Sequence, residues 1–163
     1  MDLELDQCAT ETLQMLDSPG LLLVSCGKSG KPNVMTIGWG FIGYLWGETV
    51  FVAAVRSSRF THDILEENGE FTLNVPAEGM EDIVQYCGAV SGRQHDKIGE
   101  RKLSLADGRK VKVPVIAECK MHYECRVIHK LEINPELVPD EWKHLYQNKD
   151  YHTLYFGQVL ASY

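Results

Sequence analysis

The apolar residues of this chain fall in short runs that turn-forming residues separate. Residues 21–25 form an apolar run of strand length, residues 27–32 contain glycine and proline, and residues 33–39 resume as a strand. This order predicts a β-hairpin. Residues 49–55 are apolar apart from Thr49, which predicts a strand that is buried on both faces.

Further strands are predicted at residues 71–75, at residues 153–160 and within residues 113–130, as one long bent strand or two short ones. Residues 41–47 (FIGYLWG) alternate aromatic residues with glycine, and we expect a loop there. Residues 88–110 are polar and rich in glycine, and we expect them to be mostly loop as well.

Short helices are predicted between these strands. The first covers residues 2–16. The second begins at a cap formed by Ser57 or Ser58 and ends at Asn68-Gly69. The third runs from Glu81 to about Tyr86, and a helical turn is expected around residues 142–146. Leu3, Leu13 and Leu16 are among the apolar positions of the first helix. Because no long helices alternate with the strands, the pattern favours an antiparallel β-barrel with a few short peripheral helices over a parallel α/β sheet.

Composition supports one globular domain over residues 1–163, since 44% of the residues are hydrophobic and 24% are charged. The formal net charge of −7 repels phosphate backbones, so we expect no nucleic-acid partner. Five cysteines without a C-x-x-C pair indicate reduced thiols. The acidic N-terminal segment is unlike a signal peptide and no apolar run reaches membrane-spanning length, so we expect a cytoplasmic protein without a membrane segment.

The segment at residues 55–62 (VRSSRFTH) combines two arginines, two serines and a threonine at the start of a predicted helix. Free backbone N–H groups and guanidinium groups are suited to bind a phosphate. The alternative is an ordinary helix cap beside solvated arginines, and the segment alone does not choose between them.

Two other segments could complete a ligand site. Gly38 and Gly40 let the backbone at the end of residues 33–39 approach a flat molecule, although a strand with a glycine bulge is the simpler explanation. Residues 91–97 gather serine, glycine, arginine and lysine, which suits an anion, although a surface loop is the simpler interpretation.

Other kinds of site find little support in the sequence. The six histidines are scattered without an H-E-x-x-H pattern, so we expect no metal site. Ser91-Gly92 is not a G-x-S-x-G elbow, because Ala89 takes the first glycine position. Gly38, Gly40 and Gly43 match G-x-G-x-x-G spacing, but no helix pattern follows them.

Four segments in order, NVMTIGWG, VRSSRFTHDILEENGEFTLNVP, CGAVSGRQHDK and YHTLYFGQVLASY, resemble the flavin reductase-like family and within it the flavoredoxin-like branch. The resemblance extends from residue 18 to about residue 161. It implies an FMN-binding split β-barrel, usually a homodimer with flavin sites near the subunit interface. Many relatives continue beyond the last strand, which leaves open how the flavin site is covered.

The resemblance also implies a set of cofactor-binding residues. It assigns Thr36, Ile37, Gly38 and Trp39 to the isoalloxazine ring, and Arg56, Ser57, Ser58, Thr61, Ser91, Gly92 and Lys97 to the phosphate. Asn74 is expected near the flavin, and His152 matches a histidine that lies close to the cofactor in many relatives.

Three functions agree with this resemblance. The first is an FMN-dependent oxidoreductase that takes electrons from NAD(P)H. The second is an electron carrier that exchanges electrons with a redox protein, and the third is a flavin-binding module without turnover. Cys87 precedes the loop at residues 88–97, so its thiol could react or relay electrons near the ring. The alternative is a small buried residue.

Overall fold

A computed structural model describes residues 5–163, with side chains from Cys8 onward, so Leu3 of the first predicted helix lies outside the described residues. Strands and short helices follow one another along the chain. They are α1 (Leu5–Asp17), β1 (Leu21–Cys26), β2 (Pro32–Ile37), β3 (Gly40–Leu45), β4 (Glu48–Arg56), α2 (Phe60–Glu67), β5 (Glu70–Val75), α3 (Glu81–Ala89), α4 (Lys97–Glu100), β6 (Leu105–Ala106), β7 (Val115–Ile116), β8 (Met121–Glu132), two 3-10 helices (Pro135–Leu137 and Asp140–Tyr146) and β9 (His152–Ser162).

Seven of the strands form one antiparallel sheet in the order β2-β1-β5-β8-β9-β4-β3, and β6 pairs with β7 apart from it. The sheet curls so that β2 contacts β4, although the two strands are far apart in the sheet order. The expected antiparallel barrel with short peripheral helices is therefore confirmed.

Strand β1 shows why its sequence is an unbroken apolar run. Leu21 and Leu23 join a core cluster to which six strands contribute, whereas Leu22 and Val24 join a second cluster that includes residues of α3. All six residues of β1 are buried. Because both faces are covered, the strand needs apolar residues at successive positions rather than at every second one.

Most predicted elements are found near their expected positions. The hairpin of β1 and β2 is present, with a register from Leu21 opposite Ile37 to Cys26 opposite Pro32. The segment at residues 113–130 divides into β7 and the much longer β8. None of the helices within residues 5–163 has the length and apolar character needed to span a bilayer.

The prediction of a loop at residues 41–47 is wrong, because most of this segment belongs to strand β3, which pairs with β4. The strand lies at the sheet edge, and its large side chains Phe41 and Tyr44 are exposed. An edge strand whose large side chains face outward lacks the apolar alternation that identifies a half-buried strand.

The predicted serine cap of α2 is also wrong, because Arg59 occupies the N-cap position and no side chain caps the helix. The hydroxyls of Ser57 and Ser58 bind another group instead, as described below. Within the polar segment at residues 88–110, the short helix α4 forms because the Asp96 side chain accepts a hydrogen bond from the Gly99 N–H.

Candidate functional site

Two cavities lie along strand β2. The first, here called the lysine cavity, has a volume of about 280 Å³ and includes Asn33, Phe60, Gly92 and Lys97 in its lining. The second, here called the tryptophan cavity, has a volume of about 180 Å³. Its lining comprises Met35, Thr36, Ile37, Gly38, Trp39, Ala54, Arg56, Arg59 and His152.

Lys97 is a buried cation at the wall of the lysine cavity, with only 3% of its surface exposed. Its Nζ donates hydrogen bonds to the carbonyl oxygens of Cys87 (3.1 Å) and Val90 (3.3 Å). Burial lowers the pKa of Lys97 to about 8, so the ammonium is still mainly charged at pH 7. No carboxylate within residues 8–163 forms an ion pair with it. A buried charge without a counter-ion is costly unless an anion pairs with it.

Asn33 lines the same cavity as Lys97 and is hydrogen-bonded to Thr61. The Asn33 Nδ2 donates a hydrogen bond of 2.9 Å to Thr61 Oγ1, and both residues are buried. A Cβ added to Gly92 would lie 1.9 Å from Asn33 Oδ1, so only glycine fits there. Asn33 was not among the predicted site residues, although it begins the first of the four diagnostic segments.

The tryptophan cavity has an open backbone wall where β2 ends. Gly38 and Trp39 follow the last residue of the strand, and Trp39 is 42% exposed. Thr36 is held in place because its Oγ1 donates a hydrogen bond of 2.5 Å to the Val84 carbonyl. An exposed indole beside a glycine backbone offers a flat surface for a planar ligand.

Two guanidinium groups line the tryptophan cavity. Arg59 donates to the carbonyls of Gly88 (2.8 Å) and Cys87 (3.4 Å), which ties the start of α2 to the end of α3. Arg56 donates to the carbonyls of Asp150 (2.7 Å) and Leu145 (3.2 Å). Each guanidinium has five N–H donors, so each keeps donors for a ligand. Sequence reasoning singled out Arg56 and included Arg59 only as part of its segment.

His152 also lines the tryptophan cavity. Its ring centroid lies 4.7 Å from that of Trp39, and its Nδ1 lies 2.8 Å from the Tyr146 hydroxyl. Burial, with a smaller effect of the Arg56 charge, lowers the pKa of His152 to about 4. The imidazole is therefore neutral at pH 7.

The serines at residues 57 and 58, here called the serine turn, already bind an anion from the chain itself. The Asp150 carboxylate accepts hydrogen bonds from Ser57 Oγ (3.0 Å), from the Ser58 N–H (3.0 Å) and from Ser58 Oγ (2.6 Å). Burial alone would raise the pKa of Asp150, but these hydrogen bonds and the Arg56 charge lower it overall. The serine turn is thus separate from the lysine cavity, whose lining includes Gly92 and Lys97.

The two loops that the resemblance assigns to the phosphate do meet. Arg93 donates a hydrogen bond of 3.0 Å to the Ser58 carbonyl and forms an ion pair of 2.6 Å with Asp63. Ser91 is not in the lining of either cavity, and its Oγ accepts a hydrogen bond from the Arg93 N–H.

Asn74 and Cys87 are buried and line neither of the two cavities. The Asn74 side chain is fully buried, donates to the Leu22 carbonyl and accepts from the Ile116 N–H. These bonds use its amide to join β1, β5 and β7, and its position near the flavin stays a prediction. The Cys87 thiol has no exposed surface and belongs to the second core cluster, and burial raises its pKa. Its surroundings match the alternative of a small buried residue.

Comparison with known proteins gives consistent matches. The family model described as "Flavin reductase like domain" matches residues 18–163. An uncharacterized protein from Archaeoglobus fulgidus is 33% identical over 130 residues, which cover 80% of this chain and 64% of that protein. This chain thus spans somewhat less than two thirds of that relative.

Solved structures match over most of the chain. Flavoredoxin from Methanosarcina acetivorans is 31% identical, with a TM-score of 0.72 over 89% of this chain and 67% of that one. Flavoredoxin of Desulfovibrio vulgaris is 23% identical, with a TM-score of 0.72 over 89% of this chain and 68% of that one. The second likeness supports the split-barrel fold alone.

Proposed function

This chain belongs to the flavin reductase-like domain family, and from that premise we propose that it binds FMN and transfers electrons through it. The phosphate would lie in the lysine cavity and the isoalloxazine ring in the tryptophan cavity. Strand β2 passes both cavities, and its residue Asn33 is about 17 Å along an extended backbone from Gly38, which follows the strand. One elongated molecule can therefore contact both.

The observation that carries this proposal is the buried charge of Lys97. It lines a cavity, and among the side chains described from Cys8 onward it donates only to two backbone carbonyls and has no carboxylate partner. A phosphate dianion supplies the missing negative charge and accepts a hydrogen bond from the ammonium. The buried ammonium of Lys97 therefore fits a phosphate group.

The tryptophan cavity supplies what a flavin ring requires. Gly38 admits close approach to the backbone, Trp39 offers a flat apolar face, and Arg56 and Arg59 add positive charge beside the ring. When bound, FMN supplies hydride and electron transfer, while the protein orients the ring and tunes its electronics. The neutral His152 contributes a hydrogen-bonding group without adding charge.

We infer that the electron donor is NAD(P)H, because the partly exposed Trp39 leaves the tryptophan cavity open to a second planar molecule. A second candidate function is an electron carrier that a redox protein reduces. The similarity to a flavoredoxin at 31% identity favours this candidate.

We further propose that the chain forms a homodimer through the edge of the sheet at β3. Tyr44 and Trp46 are 74% and 70% exposed there, and an apolar groove formed by Phe41, Val52 and Phe156 lies on the same edge. A twofold axis can place the protruding rings of each copy in the groove of the other. Light scattering of the purified protein would give the mass of one chain if this proposal is wrong.

The test of FMN binding is the absorbance spectrum of the purified protein, before and after addition of FMN. Flavin bands that remain after gel filtration support the proposal, whereas a colourless protein that retains no added FMN overturns it. Rapid bleaching of bound FMN by NADH or NADPH supports the oxidoreductase. Reduction only by dithionite or a ferredoxin-like protein supports the carrier.

A further inference from the structure

Tyr146 is the one buried residue of the 3-10 helix Asp140–Tyr146. Its ring stacks on that of Tyr151, with centroids 4.8 Å apart and planes at 27°. The Arg56 guanidinium lies 5.2 Å from the same ring. These contacts hold the Tyr146 hydroxyl 2.8 Å from Nδ1 of His152. His152, in turn, lines the tryptophan cavity.

The hydrogen bond between these two residues determines where the imidazole proton resides. Burial raises the pKa of Tyr146, so its hydroxyl keeps its proton. Among the side chains described from Cys8 onward, that hydroxyl has His152 Nδ1 as its hydrogen-bond partner and no other. If Nδ1 carried the imidazole proton and donated it, the hydroxyl proton would have no protein acceptor. If the hydroxyl donates to Nδ1, both groups are satisfied and the imidazole proton is on Nε2.

The remaining nitrogen is free to contact a ligand. His152 lines the tryptophan cavity, and within the described residues its Nε2 has no hydrogen-bond partner. The ring is also held against Trp39, at 4.7 Å between centroids. The Nε2–H therefore belongs to a fixed ring whose Nδ1 edge is already occupied.

We propose that Tyr146 is a positioning residue, whose hydroxyl holds His152 as a neutral imidazole that offers its Nε2–H to an acceptor atom on the molecule bound in the tryptophan cavity. This inference rests on the proposed function, because it takes that acceptor to be an atom of the isoalloxazine ring. It assigns a function to a residue of the segment between β8 and β9 that no sequence motif indicated.

The charged surroundings agree with a hydrogen-bond donor that does not transfer a proton. Arg56 lies opposite His152 in the register of β4 and β9 and also lines the cavity, as does Arg59. The Asp150 carboxylate is engaged by the serine turn. Protonation of His152 would add a cation to two arginines, so the imidazole stays neutral near pH 7.

The first test needs no flavin. Two-dimensional ¹H–¹⁵N correlation of the imidazole nitrogens in the labelled protein should show His152 as the Nε2–H tautomer. In Tyr146→Phe, which keeps the ring and removes only the hydroxyl, we expect a mixture of both tautomers. The matched control is Tyr151→Phe, since the Tyr151 hydroxyl has no hydrogen-bond partner in the described part of the chain. A wild-type Nδ1–H tautomer, or no change in Tyr146→Phe, overturns the inference.

The second test is the affinity for FMN and for riboflavin, measured by flavin fluorescence. Because the isoalloxazine ring is common to both, Tyr146→Phe should weaken both alike, by about fivefold, the value of one ordinary hydrogen bond. Tyr151→Phe should leave both affinities unchanged.

The two tests separate the possible failures. A changed tautomer with unchanged affinities would keep Tyr146 as the residue that orients His152, but would overturn the hydrogen bond from Nε2–H to the bound flavin. Binding of neither flavin would overturn the proposed function and the ligand part of this inference, while the tautomer would still decide whether Tyr146 orients His152.

Discussion

The serine turn and the lysine cavity both offer hydrogen-bond donors to an anion, yet only one of them needs an anion from outside. At the serine turn, the Asp150 carboxylate already accepts from Ser57 and Ser58. In the lysine cavity, the buried Lys97 has backbone carbonyls as partners and no carboxylate partner among the side chains of residues 8–163. Two segments rich in hydrogen-bond donors therefore differ in whether a carboxylate of the chain already binds the donors. A sequence motif does not reveal this difference.

The sharpest test of this comparison is the removal of the buried charge. Lys97→Met should weaken FMN binding by about ten- to hundredfold, the value of a charge-assisted hydrogen bond, and should affect riboflavin far less. Isothermal titration with both ligands measures the difference. The matched control is Lys31→Met, which removes an exposed lysine of the same cavity and should cost about threefold or less. Equal losses for FMN and riboflavin would contradict the assignment.

A smaller effect is expected from filling the cavity wall. Because the Cβ of Gly92→Ala would lie 1.9 Å from Asn33 Oδ1, Asn33 must shift away from Thr61. We expect about a tenfold loss of FMN affinity from the disrupted hydrogen bonds. Gly43→Ala is the control, since nothing lies within 4 Å of its added Cβ. Retention of full affinity in Gly92→Ala would remove Asn33 from the phosphate site.

The pH dependence of binding tests the same lysine without a mutation. With a pKa of about 8 in the unliganded chain, Lys97 loses its charge as the pH rises above 8, and the preference for FMN over riboflavin should decline by up to about tenfold. Fluorescence titrations from pH 7 to about pH 10 measure this decline. A preference that stays constant over this range would mean that Lys97 does not contact the phosphate.

The same pKa has a consequence for stability with the opposite sign. Between about 8 and 10.5, the unfolded chain keeps a lysine proton that the folded chain has lost. The free energy of unfolding of the unliganded protein should therefore rise with pH in this window. Thermal melts of wild type and Lys97→Met would differ in this slope if the lysine is its source.

The smallest effect on binding is expected at the serine turn. Ser58→Ala removes one of the hydrogen bonds to Asp150, and this should lower the free energy of unfolding by about 1 kcal/mol. It should change FMN affinity by about threefold at most, since the buried lysine lies elsewhere. A selective loss of FMN affinity as large as in Lys97→Met would instead make the serine turn part of the phosphate site.

Much of the barrel could be predicted from the sequence, because buried strands such as β1 and β4 need apolar residues at successive positions. The edge strand β3 could not be recognised in this way, since its aromatic residues face outward. The candidate site was predicted as segments, and both loops meet as expected. The position of Asn74 in the core and the engagement of Ser57 and Ser58 were not predictable, because each depends on a partner distant in the chain.

The sequence by itself determined the order of strands and helices along the chain, the turns between them and the four segments that identify the family. Local patterns of apolar and turn-forming residues specify these features. Only the tertiary structure decided which donors remain available. Ser58 and Asp150 are 92 residues apart along the chain, and Tyr146 acts on the cavity through His152. Charge compensation and hydrogen-bond satisfaction depend on distances in space, and the fold alone sets those distances.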